Sequence, residues 1–130
     1  MRAHPAVGTD RRRGLGIAGE DLACTELRRR GYAILERGYR TRFGEIDVVA
    51  RHRGELVFVE VKARTTGRCG DGAEAVSPYK QWRVARMAAE YLVRRGLHDR
   101  PCRFDVVAVD LGVEPPRVEV YEGAFDAPFG

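Results

Sequence analysis

The sequence contains no apolar run near the roughly 20 residues that a bilayer-spanning helix needs, so none of it reads as a membrane segment. Its first residues, MRAHPAVGTDRRRG, lack the apolar centre of an export signal. Cysteine is scarce. Cys24, Cys69 and Cys102 are an odd number with no close pairing, which excludes a disulfide framework and a zinc-type ligand spacing. These absences together point to the cytoplasm. Lysine is scarcer still: of the 23 Lys and Arg residues, Lys62 and Lys80 alone are lysine. Arginine is the default cation here, so a lysine at a special position draws notice.

What is present fits one globular domain with a single core: 130 residues, 44% hydrophobic and 32% charged. Residues 1–13 read as a basic, flexible tail and residues 14–130 as the domain. The net charge of +4 permits a polyanionic partner without establishing one.

Periodicity predicts a helix from Gly16 to Arg30, with Ile17, Cys24 and Leu27 on its apolar stripe, Ala23 beside it and Gly31 as its stop. Strands are predicted over 32–37, 44–51 and 55–63, the last two joined by a tight turn. After the Gly-rich run TTGRCGDG, Ser77-Pro78 reads as an N-cap and first-turn proline opening a helix to about Arg95. Further strands follow at 102–110 and 117–121. The order is α-β-β-β-α-β-β. Strand, helix and strand from 55 to 110 have the length of a right-handed crossover, so those strands are parallel, the preceding hairpin is antiparallel and the sheet is mixed.

The hairpin GEIDVVARHRGELVFVEVKAR fixes where its charges lie. A two-residue turn at Arg53-Gly54 sets Ala50 opposite Val57, Val48 opposite Val59 and Ile46 opposite Val61, an apolar face. The other face pairs Val49 with Phe58, Asp47 with Glu60 and Glu45 with Lys62. A slip by one residue would scramble both faces. Two carboxylates about 5 Å apart repel by roughly 3 kcal/mol at an effective dielectric near 20. Partly buried, they call for a cation: Lys62, an arginine or a divalent metal. Mg²⁺ prefers such hard oxygen ligands, and a lysine beside it would offset charge building on a phosphate. Glu20 falls between Ile17 and Cys24 on the helix stripe, where an acid needs a partner, and packed over the polar face it would add a third carboxylate.

Glu60-Val61-Lys62, preceded by Asp47 and by Glu20 on a first helix, resembles the PD-(D/E)-x-K nuclease superfamily. The longer run, GEDLACTELRRRGY through YRTRFGEIDVVA, LVFVEVKAR, RFDVVAV and GAF, resembles the YraN-like bacterial family, usually placed in that superfamily near the Holliday-junction resolvases. The resemblance covers residues 14 to 126 and implies an α/β, restriction-endonuclease-like fold, a central mixed sheet flanked by helices. It further implies a Mg²⁺- or Mn²⁺-dependent endonuclease acting on branched or single-stranded DNA in repair or recombination. Asp47 and Glu60 would hold the metal, Glu20 would assist and Lys62 would polarise water or phosphate. Ile46 stands where the superfamily motif has proline, as in many relatives. Many nucleases of the superfamily cut duplexes as dimers, so a homodimer is compatible, although no self-complementary surface is legible.

Plainer alternatives stand beside each assignment. The charged face is equally the pattern of a solvated, salt-bridged surface, and Glu20 of an acid favouring a helix start. Gln81 is a candidate substrate contact or a surface residue. Arg40, Arg42, Arg64 and Arg68 flank the site and suit phosphates, as arginines in an arginine-rich chain will by chance. Arg11 to Arg13 would add salt-sensitive affinity. His4, His52 and His98 read as surface residues, and Trp82 either stacks on a base or packs on the domain. The competing functions are a non-catalytic nucleic-acid-binding module and an adaptor whose charged face meets a protein.

Overall fold

The computed structural model describes residues 7–65 and 76–127. The loop carrying Arg68 and Cys69, residues 1–6 and the side chains of Arg11 to Arg13 lie outside the described residues. The elements are α1 (Val7–Arg29), β1 (Ala33–Thr41), β2 (Gly44–His52), β3 (Glu55–Arg64), α2 (Pro78–Arg94), β4 (Cys102–Asp110) and β5 (Arg117–Phe125). The order is the expected α-β-β-β-α-β-β. One sheet runs β1-β2-β3-β4-β5, with β3 and β4 parallel and the other neighbours antiparallel. This is the α/β architecture of a mixed sheet flanked by helices that the sequence predicts. No helix among the described residues is long and apolar enough to cross a membrane.

The β2–β3 turn has both central residues at positive φ, Arg53 at 50° and Gly54 at 79°. That is the conformation whose twist suits a two-residue hairpin. The register follows: Ala50 faces Val57, Val49 faces Phe58 and Val48 faces Val59. Between β3 and β4 lies α2, capped by the Ser77 hydroxyl accepting from Lys80 N–H, with Pro78 in the first turn. A parallel pair cannot be joined by a short turn, so this crossover lays α2 on one face of the sheet.

Each face of the sheet carries its own core. Against α2 pack Phe58, Phe104 and Val106 with Val84, Met87, Ala88 and Tyr91. Against α1 pack Val48, Ala50, Val57, Val59, Val107 and Val109 with Ala23, Cys24 and Leu27.

Three boundaries differ from expectation. Helix α1 starts at Val7 rather than Gly16, because a glycine inside a helix costs only about 1 kcal/mol and does not end it. Strand β1 continues to Thr41 through Gly38 at φ 64°, a conformation glycine adopts without strain. Strand β5 reaches Phe125, whose ring stacks on Phe104 at 5.1 Å, after Gly123 N–H donates to the Asp105 carboxylate at 2.9 Å.

Two side-chain placements are corrected as well. Ile17 is 56% exposed and off the buried stripe. The helix meets the sheet at Gly19, where a Cβ would lie 2.7 Å from Ala63 Cβ. Two residues rotate about 200° around a helix, so Ile17 points away from that contact. His52 is buried, not on the surface. Its ring stacks on Tyr32 at 3.8 Å, and its Nδ1 lies 2.7 Å from the Arg103 guanidinium. Arginine only donates, so Nδ1 is the acceptor in this contact. Arg103 also bonds Asp105 and Glu55, and Tyr32 O–H donates to Asp105 at 2.6 Å. This network closes the end of the sheet around the β2–β3 turn.

Two substitutions test the packing. Gly19→Ala is expected to lower the unfolding midpoint despite alanine's better helix propensity, because the close approach to Ala63 leaves no room for it. Ala63→Gly in the same chain is expected to recover most of that loss, measured as a double-mutant cycle in urea. Asp105→Ala is expected to destabilise by about 3–5 kcal/mol, since it removes the buried carboxylate to which Arg103, Tyr32 and Gly123 all donate.

Candidate active site

The site forms where the β2–β3 ladder ends. Backbone pairing runs from His52 opposite Glu55 to Val48 opposite Val59. Beyond it, Val61 N–H donates to Asp47 Oδ2 at 2.8 Å, so a side chain stands where the ladder would have continued. Asp47 is half-buried and Glu60 is 1% exposed. No N–H or O–H of a neighbouring residue donates to either Glu60 oxygen, and the carboxyl that interacts with it is that of Asp47. The sequence places Asp47 and Glu60 on one face, and the structure brings them together, close enough for the Asp47 charge to act on Glu60.

The remaining expected pairs do not form. Glu45 turns to the neighbouring strand, where its carboxylate lies 3.4 Å from Arg40, rather than to Lys62. Ile46 packs in the core under α2, not beside Val48 in the core under α1. The strand turns over at Asp47, whose carboxylate occupies the inter-strand position, and the alternation that holds for residues 48–50 is lost there.

Glu60 shares the α2 face with Phe58, two residues earlier on the same strand. Burial and then the neighbouring Asp47 push its carboxyl up to about 8, while Lys80 and Arg83 oppose that rise. Lys80 Nζ lies 3.7 Å from Glu60 Oε1. This lysine is absent from the expected site. Its signal was the scarcity of its kind together with the crossover, which returns the start of α2 over the middle of β3. Of the two lysines, Lys80 is the one that acts on Glu60. Lys62 follows it by two residues on the same face, is half-buried, and makes no ion pair among the described residues.

Glu20 lies elsewhere. Its Oε1 accepts from Arg37 Nε at 2.9 Å, while Asp21 takes the other arm of the same guanidinium at 2.7 Å. Helix α1 covers the sheet face opposite to the one Glu60 uses, so the expected third carboxylate is occupied by β1. Among the described residues, no group of three or more His, Cys, Asp and Glu side chains converges. What converges is an acid pair, and two adjacent carboxylates suit a hard divalent cation.

The secondary candidates divide. Gln81 Nε2 donates to Val76 O at 3.0 Å and steadies the entry to α2, which accounts for it structurally. Arg40 is 88% exposed and pairs with Glu45, Arg42 lies over the Phe43 ring at 5.0 Å, and Arg64 is half-buried at the end of β3. Arg68 lies outside the described residues.

Comparison with known proteins adds a family. A model described as "Uncharacterised protein family UPF0102" matches residues 19–109. Among similar proteins, a UPF0102 protein of Anaeromyxobacter dehalogenans is 47% identical over 117 residues, covering 90% of this chain and 87% of its own. One from Geobacter sulfurreducens is 43% identical, covering 92% and 94%. One from Moorella thermoacetica is 48% identical, covering 88% and 97%.

The raised Glu60 pKa has a pH consequence with a definite sign. Between the ordinary carboxyl value of 4.5 and about 8, the folded chain keeps a proton on Glu60 that the unfolded chain has lost. Stability contributed by this group is therefore present at low pH and falls as pH rises through that window. In chelator, Glu60→Gln is expected to flatten this part of the urea-unfolding profile and to raise the midpoint more at pH 8 than at pH 5. Parallel profiles for the two proteins would contradict it.

Proposed function

The chain belongs to the uncharacterised protein family UPF0102, and from its site we propose a divalent-metal-dependent endonuclease that hydrolyses phosphodiester bonds in DNA, branched or single-stranded. The observation that carries this reading is the buried Glu60 carboxyl set against that of Asp47. Two acids held side by side with one of them buried cost stability, and such a cost is retained where a ligand repays it. Asp47 and Glu60 would hold Mg²⁺ or Mn²⁺. A bound cation supplies a water acidified enough to attack at neutral pH and polarises the phosphate.

The chain's own groups do the rest. Asp47 accepts from Val61 N–H, which keeps its carboxylate oriented beside Glu60. Lys62 places an ammonium along the same strand, where it offsets charge developing on a phosphate oxygen. Lys80 neutralises part of the Glu60 charge before the cation arrives. Glu20, engaged by Arg37, stays outside the donor set. The enzyme would act in the cytoplasm, with DNA as its partner.

A second reading draws on Lys80 itself. If its ammonium is the cation the acid pair requires, the face is permanently salt-bridged and the chain is a nucleic-acid-binding module that keeps the fold without catalysis. The two readings separate on Mn²⁺ binding followed by electron paramagnetic resonance. The nuclease reading expects binding at up to millimolar metal that Asp47→Asn and Glu60→Gln each abolish. It also expects cleavage of at least one labelled DNA in a panel of single-stranded, duplex and branched substrates, lost in Lys62→Ala. Absence of Mn²⁺ binding, with and without DNA, would favour the binding module.

A further inference from the structure

Helix α2 has a second, outward face that its packing does not explain. Val84, Ala85, Met87, Ala88 and Tyr91 bury the inner face, yet Tyr79 is 68% and Trp82 40% exposed. These rings belong to a series with arginines. The Arg86 guanidinium lies 5.3 Å from the Trp82 ring centre and 5.0 Å from that of Phe43, in the β1–β2 turn. Arg42 lies 5.0 Å from Phe43. At the other end Tyr79 stacks with Trp82 at 6.4 Å and 25°, and Arg83 lies 5.9 Å from Tyr79. Rings and guanidiniums thus form a continuous strip, with no carboxylate among its six members.

We propose that this strip is a base-stacking surface for single-stranded nucleic acid. Exposed aromatic rings accept bases of any identity, because every base has a π-face, and interleaved arginines meet the phosphates. A duplex offers its rings no such face, since its bases already stack on each other. Trp, Tyr and Arg are also the residues that anchor protein interfaces, but cations of one sign without a balancing acid select a polyanion. The first turn of α2 carries no acid either, although the helix dipole would favour one there. From Phe43 and Arg86 a groove of about 310 Å³ continues towards Val93 and Arg94 and gives a strand a path. Its one acid, Glu90, lies 3.6 Å from Arg94.

The strip borders the acid pair. Lys80 and Arg83 act on Glu60 from the same turns of α2 that present Tyr79 and Trp82 outward. The inference deepens the nuclease reading by naming unpaired strands as its substrate class. It rests on that reading for the cleavage of a bound strand, not for the binding itself.

Trp82 is the sole tryptophan, so its fluorescence reports on the strip directly. The full chain, in chelator at low salt, is titrated with a short oligodeoxythymidylate and with a duplex of equal length. The expected result is saturable quenching by the single strand, weakened by added salt, with the duplex about tenfold weaker or more. Anisotropy of a labelled single strand is expected to show about tenfold loss of affinity in Trp82→Ala, and a loss in Arg86→Gln should Trp82→Ala fail to fold. No quenching, equal response to duplex, or unchanged affinity in the variants would overturn the surface and leave a protein partner as its explanation. The outcomes stay separable: quenching without Mn²⁺ binding removes the nuclease reading alone, and Mn²⁺ binding without quenching removes the stacking surface alone.

Discussion

Everything at the functional end of this protein turns on one buried carboxylate. Glu60 sits in the middle strand of the sheet, sealed from water, with a second acid beside it and no donor from a neighbouring residue on either oxygen. Such a group must take up a proton, borrow a positive charge or bind a cation. The surroundings supply the first two in part: its carboxyl is pushed up to about 8, and Lys80 stands at ion-pair distance. The nuclease reading adds the third, a bound cation that would displace the proton and compete with the ammonium.

The topology supplies that environment. Parallel β3 and β4 require a crossover, and the crossover helix lies on the face Glu60 occupies. Without it, Lys80 and Arg83 would have no route to the acid pair. The antiparallel neighbour β2 brings Asp47 from the other side and gives up its ladder to do so. One acid therefore depends on a hairpin and its positive counterparts on a long-range connection.

The extent to which this was legible in the sequence follows the same division. The hairpin register could be read because alternation is local and a two-residue turn fixes it; Ala50 with Val57 and Val48 with Val59 stand where the pattern put them. It failed at Ile46, where a carboxylate enters the ladder and a period of two no longer applies. The order of elements along the chain and the crossover were legible from spacing. Lys80 was not, because its relation to Glu60 depends on how a helix is laid over a sheet. Glu20 misled for a related reason: a helix stripe tells which side is buried but not which sheet face receives it, and Arg37 on β1 was closer. Ile17 failed because Gly19, lacking a side chain, carries no hydrophobic signal although it makes the tightest contact. His52 looked like a surface residue because its partners, Tyr32 and Arg103, come from distant strands.

The Tyr32, His52, Arg103 and Asp105 cluster has a mechanical meaning. It joins the entry to β1, the end of β2 and the start of β4, while Gly123 of β5 and Glu55 of β3 bond into it, so all five strands are clasped at one end. At the other end, β2 and β3 are held by a side chain instead of their backbones. The sheet is built like a cantilever, clasped across all its strands at one end, while at the other the seam between β2 and β3 is closed by a single side chain.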